Sequence, residues 1–157
     1  MKVRELMTVN VARVASDEPL SSAARLMWDC DCGAVPVTDS INHRVIGILT
    51  DRDICMATWI RDKPPSEIPV REAMSRDLFY CSPDQSISSA ESLMRAKQVR
   101  RIPVLDDDKN LLGILSLADI AKQSQREGLR GASALAPEEV STTLAQICER
   151  RDFARAG

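Results

Sequence analysis

The chain carries the sequence Gly47-Ile48-Leu49-Thr50-Asp51-Arg52-Asp53-Ile54, and a related sequence, Gly113-Ile114-Leu115-Ser116-Leu117-Ala118-Asp119-Ile120, follows later. In both, a short apolar strand runs into a hydroxyl residue, and an aspartate comes three positions after that residue. A strand that turns directly into a helix leaves backbone N–H groups free at the turn. Such a turn suits a phosphate or a sugar hydroxyl. The same spacing is also that of a capping box, which many helices carry for stability alone.

These two sequences belong to a longer internal repeat. A shift of 67 positions, which takes Val3 to Val70, aligns 3–8 with 70–75 and 36–39 with 103–106. One residue is then lost in the following turn, so the shift becomes 66 where Gly47 meets Gly113. The chain is therefore a tandem duplication followed by a tail. We predict a first repeat at 1–61, a linker at 62–69, a second repeat at 70–126, and a tail at 127–157 with a helix at 137–151.

Hydrophobic periodicity predicts one order of elements in each repeat: strand, helix, strand, strand, helix. In the first repeat, strands are expected at 11–14, 34–38 and 45–50, with helices from 19 and over 51–60. In the second, strands are expected at 78–81, 101–105 and 111–115, with helices around 87–94 and over 117–126. Each unit would bury the open face of its sheet against the other unit. The predicted fold class is α/β, or α+β in some schemes, with two β-α-β-β-α units packed with pseudo-twofold symmetry and a C-terminal helix.

Composition excludes several functional classes. The 157 residues carry 21 basic and 23 acidic side chains, a net charge of −2, which disfavours a nucleic-acid-binding surface. No window approaches the roughly 18 apolar residues that span a bilayer, so no membrane is expected, and the N-terminus does not resemble a signal peptide. The five cysteines are odd in number and irregular in spacing, which predicts reduced thiols in a cytoplasmic protein. Cys30 and Cys32 lack the further ligands that a metal site needs, so no metal is expected.

The sequence shows no catalytic constellation, and we expect the chain not to be an enzyme. The single histidine, His43, lies in a polar turn, and the sequence lacks both a phosphate-binding P-loop and a nucleophile elbow. The tail helix begins with acids and ends with arginines. We interpret it as a docking helix or a dimer contact, with a nucleic-acid-binding arm as the alternative.

The duplicated unit has Pro-Val-x-Asp at 36–39 and 103–106, and Gly-Ile-Leu-(Thr/Ser)-x-x-Asp-Ile after the hairpin. Over residues 1–126 it resembles a pair of cystathionine β-synthase (CBS) domains, also called a Bateman module. The resemblance implies regulation by AMP, ADP or ATP in clefts between the two repeats, with S-adenosylmethionine or NADH as secondary candidates and no required cofactor. It also implies a homodimer and an unidentified protein that the module regulates. The alternative function is a ligand-free scaffold or dimerisation module.

The same resemblance implies roles for individual residues. Asp53 and Asp119 would grip the hydroxyls of the ribose, because a carboxylate can accept hydrogen bonds from both. The phosphates would be bound by Thr50, Ser116, Arg52, Arg100 and Arg101. The adenine would be lined by Val11, Val35, Pro36, Leu78, Ile102 and Pro103.

The two copies differ in charge beside the Pro-Val strand. Arg100 and Arg101 come just before Ile102-Pro103-Val104 in the second copy, where the first copy has Gly33 and Ala34. Guanidinium groups suit phosphate geometry, so phosphate binding at the two copies need not be equal. The alternative is that both arginines are solvated charges at a helix–strand junction.

Overall fold

The structure, a computed structural model, describes residues 1–129 and 137–149. In the first repeat the elements are β1 (Val14–Ala15), α1 (Leu20–Asp29), β2 (Ala34–Thr38), β3 (Val45–Thr50) and α2 (Asp51–Arg61). In the second they are α3 (Ile87–Lys97), β4 (Arg101–Leu105), β5 (Leu111–Ser116) and α4 (Leu117–Leu129), and α5 (Pro137–Cys148) follows. Short 3₁₀ helices occur at Val3–Glu5, Pro65–Glu67 and Val70–Glu72.

The strands of the first repeat form one sheet in the order β1-β2-β3. β1 is parallel to β2, and β2 is antiparallel to β3. β2 is buried along its whole length, whereas β3 alternates between buried and half-buried residues, because successive side chains of a strand point to opposite faces. The predicted bounds of the first strand, 11–14, are wrong: only Val14 and Ala15 pair with β2.

The strand predicted at 78–81 is wrong. β4 and β5 form a two-stranded sheet, and the predicted strand is reduced to a single bridge from Cys81 to β4. Proline gives the physical reason. In the first repeat, the N–H of Ser16 extends the pairing by donating to the carbonyl of Thr38 at 2.9 Å. Pro83 holds the equivalent position and has no N–H to donate.

The compact units of the structure do not coincide with the sequence repeats. One unit contains Met1–Thr8, Cys81–Val104 and the described residues from Ile114 onward, and the other contains Val9–Tyr80 and Leu105–Gly113. The leading segment of each repeat is thus exchanged. Val3 donates its N–H to the carbonyl of Gln85 at 2.9 Å, and Val70 donates to the carbonyl of Glu18 at 2.8 Å. The repeat pattern alone did not predict this exchange.

Each unit has an aliphatic core. The unit that holds α1 and α2 is built around Leu20, Val35, Leu49, Ile54 and Val70. The unit that holds α3 and α4 is built around Val3, Ile87, Ile102, Leu115 and Ile120. Aliphatic side chains fill both cores, as the aromatic fraction of 3% requires. Full burial of one large aliphatic side chain contributes about 1.5–3 kcal/mol.

Helix ends differ from the predicted bounds by a few residues. α4 continues past the predicted end at 126 to Leu129. α5 ends at Cys148, before the predicted end at 151, and positions 150 and 151 lie outside the described residues. α2 ends at Arg61 because Asp62 adopts the left-handed conformation, with φ of 50°. Thr143 and Ile147 are the buried residues of α5.

Candidate functional site

The first strand–helix junction is a complete capping box at the start of α2. The hydroxyl of Thr50 accepts a hydrogen bond from the N–H of Asp53 at 3.2 Å. In return, Asp53 Oδ2 accepts from the N–H of Thr50 at 2.9 Å and from its hydroxyl at 2.7 Å. The Thr50 side chain is therefore held in one orientation at the end of β3.

The second junction repeats this geometry at the start of α4. The Ser116 hydroxyl accepts from the N–H of Asp119 at 3.2 Å, and Asp119 Oδ2 accepts from the N–H of Ser116 at 3.0 Å. The Ser116 hydroxyl also donates to Asp119 Oδ2 at 2.5 Å. The capping function that the sequence indicated is present at both junctions.

In each box, only one carboxylate oxygen is used. Oδ2 of Asp53 and Oδ2 of Asp119 each accept two hydrogen bonds. Within residues 1–129 and 137–149, Oδ1 of neither aspartate accepts one. Both residues are half-buried, so Oδ1 can accept from a ligand hydroxyl while the cap stays intact.

A main-chain carbonyl completes each helix start. The N–H of Asp51 donates to the carbonyl of Gly33 at 3.2 Å, and the N–H of Leu117 donates to the carbonyl of Arg100 at 2.9 Å. Gly33 and Arg100 are equivalent in the repeat. The sequence predicts a charge difference at this position but carries no signal for its common role, which is to cap the helix through the main chain.

The N–H group of the second helix residue, Arg52 in α2 and Ala118 in α4, distinguishes the two junctions. In the first, the N–H of Arg52 donates to the Asp51 carboxylate at 2.7 Å. In the second, Leu117 replaces Asp51, and no described residue accepts from the N–H of Ala118. The α2 start therefore carries an additional acid, whereas the α4 start has an N–H group that no described residue accepts from. An anion is favoured at the second start.

The predicted phosphate-binding arginines are solvent-exposed. Arg100 and Arg101 lie in the same unit as Ser116, where Arg100 immediately precedes β4 and Arg101 is its first residue. Arg100 Nη2 lies 3.7 Å from the Cys148 sulfur of α5. Arg52 is exposed on α2, one residue after Asp51.

The residues predicted to line the adenine fall into two groups. Val35 and Ile102 are 1% and 0% exposed and belong to the two cores, so their side chains do not face solvent. Pro36 and Pro103 are also buried, while Val11 and Leu78 are half-buried. Val11, Val35, Pro36 and Leu78 lie in the unit of Thr50 and Asp53, and Ile102 and Pro103 lie in the unit of Ser116 and Asp119.

Among the described residues, no three His, Cys, Asp or Glu side chains cluster closely enough to hold a metal ion. Over the same part of the chain, no helix combines the length and apolar character that crossing a membrane requires.

The fold and the two junctions define a class of protein: a duplicated module of small mixed units, in which a capped helix follows each hairpin. A family model described as the CBS domain matches residues 3–59 and 70–126. The chain therefore belongs to the CBS domain family and is a tandem CBS pair, a module that binds regulatory ligands. The resemblance inferred from the sequence is confirmed.

Three comparisons place the chain among known proteins. It is 38% identical over 119 residues to the CBS domain-containing protein YhcV of Bacillus subtilis (strain 168), across 76% of this chain and 82% of YhcV. The crystal structure of Hypoxic Response Protein I with two coordinated zinc ions shares 33% identity and a TM-score of 0.70, covering 78% of this chain and 98% of that chain. The CBS domain pair of MJ0100, in complex with 5'-methylthioadenosine and S-adenosyl-L-methionine, gives 20% identity and a TM-score of 0.72, covering 81% of this chain and 98% of that one. These likenesses confirm the predicted mixed fold.

Proposed function

We propose that this chain is a regulatory module that senses adenosine-containing nucleotides of the AMP, ADP and ATP class and relays their binding to a partner protein. One observation carries the proposal. A hydroxyl–aspartate junction occurs twice, and each aspartate keeps Oδ1 free of hydrogen bonds from the described residues while Oδ2 holds the cap. A helix cap needs only one of these oxygens, and a ribose provides hydroxyl donors for the other.

The ribose is the part of the ligand that the aspartates recognise. Asp53 and Asp119 accept from its hydroxyls through Oδ1, and the box fixes each carboxylate in advance. Adenine contacts along β2 and β4 fall on main-chain groups, because the side chains of Val35 and Ile102 are buried in the cores. MJ0100, another protein of this fold, holds two compounds that contain adenosine, 5'-methylthioadenosine and S-adenosyl-L-methionine, in its crystal structure.

Phosphate binding is proposed mainly at the second junction. The N–H of Ala118 donates to no described residue. Together with the Ser116 hydroxyl and the exposed Arg100 and Arg101, it favours an anion there. At the first junction, the Asp51 carboxylate already bonds to the helix N–H that corresponds to that of Ala118. Its negative charge would oppose a phosphate, because like charges at close range repel. Arg52 offsets only part of this charge. The first junction is therefore expected to prefer ligands with fewer phosphates.

Calorimetric titration with adenosine, AMP, ADP and ATP tests the proposal, with S-adenosylmethionine and NADH as further ligands. Replacing both Arg100 and Arg101 with Ala should weaken ATP binding at least about tenfold, since a charge-assisted hydrogen bond is worth about 1.5–3 kcal/mol. Arg52→Ala, the matched change at the first junction, should weaken it much less. Equal losses in the two variants would contradict the assignment of phosphate to the second junction.

Asp119→Asn separates ribose binding from helix capping. Asparagine keeps an oxygen that can accept from the Ser116 N–H but removes the negative charge. We expect an unchanged melting temperature and weaker nucleotide binding, together with loss of discrimination against 2'-deoxy and 3'-deoxy nucleotides.

The alternative function, a ligand-free scaffold or dimerisation module, has a specific observation in its favour, because both aspartates already stabilise their own helices. If none of these compounds binds at millimolar concentration, the scaffold interpretation replaces the sensor.

A further inference from the structure

The end of α5 is capped by a side chain from the end of α3. The helix α5 packs against both α3 and α4. Gln98, the residue that ends α3, donates from Nε2 to the carbonyl of Glu149 at 3.1 Å and to that of Gln146 at 3.4 Å. Carbonyl groups at the end of a helix have no partner within the helix. Gln98 therefore supplies a partner that α5 itself does not provide.

Arg100, two residues after Gln98, contacts both α5 and the second junction. Its main-chain carbonyl accepts from the N–H of Leu117, the first residue of α4, at 2.9 Å. Its side-chain Nη2 lies 3.7 Å from the sulfur of Cys148, the last residue of α5. A cation is favoured there, because the carboxyl end of a helix carries partial negative charge. The segment 98–100 thus joins the end of α5 to the start of α4.

The last turn of α5 is only partly packed. An open cleft of about 450 Å³ separates it from the last turns of α3, and this cleft is lined by Ser92, Arg95, Ala96, Gln98, Gln146 and Glu149. Ile147 is 7% exposed and contacts the core, whereas Cys148 and Glu149 are exposed. Beyond Ile147, the polar contacts from Gln98 and Arg100 hold this end of the helix. Such contacts exchange for others at small net cost.

The first repeat has the same turn without these side chains. Asp31 is equivalent to Gln98, and both adopt the left-handed conformation, with φ of 48° and 50°. Gly33 is equivalent to Arg100 and caps α2 through its carbonyl in the same way, but it has no side chain. The connection between a helix start and a third helix therefore comes from the side chains of the second repeat and not from the shared backbone.

We propose that α5 and a bound phosphate compete for the Arg100 side chain, so that ATP at the second junction loosens the end of α5. The competition rests on the proposed function, in which Arg100 and Arg101 bind phosphate beside the N–H of Ala118. The Arg100 carbonyl stays bonded to the α4 start, so the guanidinium can turn toward a phosphate without movement of the main chain. A phosphate is the stronger partner, because a thiol is a weak acceptor and a charged acceptor strengthens the hydrogen bond.

The charge at the end of α5 adds to this competition. Glu149 directly follows the helix and is exposed. Its carboxylate and the negative end of the helix disfavour a phosphate nearby, because like charges repel. Coupling between two binding events is reciprocal, so a helix that weakens phosphate binding is itself loosened by phosphate. The end of α5 then distinguishes ATP from adenosine, which has no phosphate and leaves Arg100 on α5.

Hydrogen exchange of the full chain, resolved by mass spectrometry, tests the competition with adenosine, ATP and inorganic pyrophosphate as probes. ATP and pyrophosphate should each speed exchange in the last turn of α5 about two- to fivefold, the range expected for a charge at a helix end. Adenosine should leave this exchange unchanged. Unchanged or slower exchange in α5, when calorimetry shows that ATP is bound, overturns the proposal.

Gln98→Asn gives the converse measurement. Asparagine tolerates the left-handed conformation but is one methylene shorter, so it withdraws the cap from the end of α5. This variant should bind ATP about two- to fivefold more tightly and adenosine with unchanged affinity. Asp31→Asn, at the equivalent turn of the first repeat, is the matched control and should change neither affinity. Circular dichroism checks that both variants fold, and ATP binding by Gln98→Asn that equals or falls below that of the wild type overturns the proposal.

The competition and the proposed function fail in different ways. If adenosine and ATP bind while α5 exchange is unchanged, the nucleotide sensor stands and the competition is wrong. If no nucleotide binds but millimolar pyrophosphate speeds exchange at the end of α5, the competition stands and the nucleotide assignment is wrong. If neither nucleotides nor pyrophosphate bind, both are wrong.

Discussion

The two repeats share a backbone plan and differ in what surrounds it. Both have a capping box at the strand–helix junction, with nearly the same hydrogen-bond distances. The first repeat carries an acid at the helix start and an apolar outer helix face, whereas the second carries two arginines and a helix that covers it. Duplication thus preserved the element that orients the aspartates. The surface chemistry around that element diverged.

The leading segments show the same contrast between shared geometry and different surroundings. Thr8 and Ile114 exchange main-chain hydrogen bonds of 2.9 and 3.0 Å, and Ser75 and Ile48 exchange bonds of 2.9 and 3.1 Å. Each lead therefore adds a bridge beside the strand that ends in the capping box. In this way, the exchange of leads supports both junctions.

The substitution with the largest predicted effect, Gly47→Ala, disrupts the bridge between Ser75 and Ile48 in the first repeat. A Cβ atom at Gly47 would lie 2.5 Å from the carbonyl oxygen of Ser75, and the oxygen belongs to main chain that cannot rotate away. We expect Gly47→Ala to lower the free energy of unfolding by about 2–4 kcal/mol, because a packed backbone must shift. Chemical denaturation measures this. Ser75→Ala is the control, since it keeps the carbonyl and alters only an exposed side chain. A neutral Gly47→Ala variant would mean that the lead does not lie against β3.

A slightly smaller effect tests the covering of the second repeat. Ile147 is 7% exposed and contacts the core beneath α5, whereas Leu144 on the same helix is 46% exposed. Ile147→Ala should cost about 2–3 kcal/mol of unfolding free energy, since burial and cavity terms add. Leu144→Ala should cost less than about 0.5 kcal/mol. Hydrogen exchange should show the loss in α5 first. Equal and small effects of the two substitutions would show that α5 does not pack against α3 and α4 in solution.

Much of the fold and part of the site could be predicted from the sequence. Repetition located both hairpins and both junctions, because periodicity and capping are local properties that neighbouring residues determine. The absence of the strand predicted at 78–81 also has a local cause, because Pro83 occupies the position at which Ser16 of the first repeat donates its N–H. A comparison of these two positions would have found it.

Other features depend on contacts that are distant in sequence. The burial of Val3 beside Ile87, and not beside its own repeat, has no local signal. The packing of α5 against α3 and α4 has no local signal either. The exposed apolar residues Trp59 and Ile60 on α2 did have a signal in the sequence, because they align with the polar residues Gln125 and Arg126 of α4. The roles of Asp53 and Asp119 toward ribose remain predictions that ligand binding must decide.

The smallest effect concerns a charge that only the second repeat has. Glu91 on α3 is 2% exposed and accepts a hydrogen bond from Thr143 of α5, and the first repeat has Ala24 at this position. Burial raises the pKa of the Glu91 carboxyl above its ordinary value of 4.5, and Glu139 of α5 raises this pKa further. Arg95 and the hydrogen bond from Thr143 oppose the shift.

A raised pKa in the folded state means that the folded protein binds this proton more tightly than the unfolded chain. The protonated form of Glu91 therefore adds stability below pH 4.5, and this stability is lost as the pH rises through the higher folded pKa. Glu91→Gln should raise the unfolding free energy at neutral pH by on the order of 0.5–1 kcal/mol, with the gain vanishing toward acid pH. Chemical denaturation of the wild type and of Glu91→Gln, from below pH 4.5 to neutral pH, measures the difference in unfolding free energy. Glu138→Gln, at an exposed position on α5, is the control and should show no such trend. A Glu91→Gln variant that is less stable at neutral pH would show that ionised Glu91 stabilises the packing of α5 through Arg95, and that the second repeat keeps this acid to hold α5 in place.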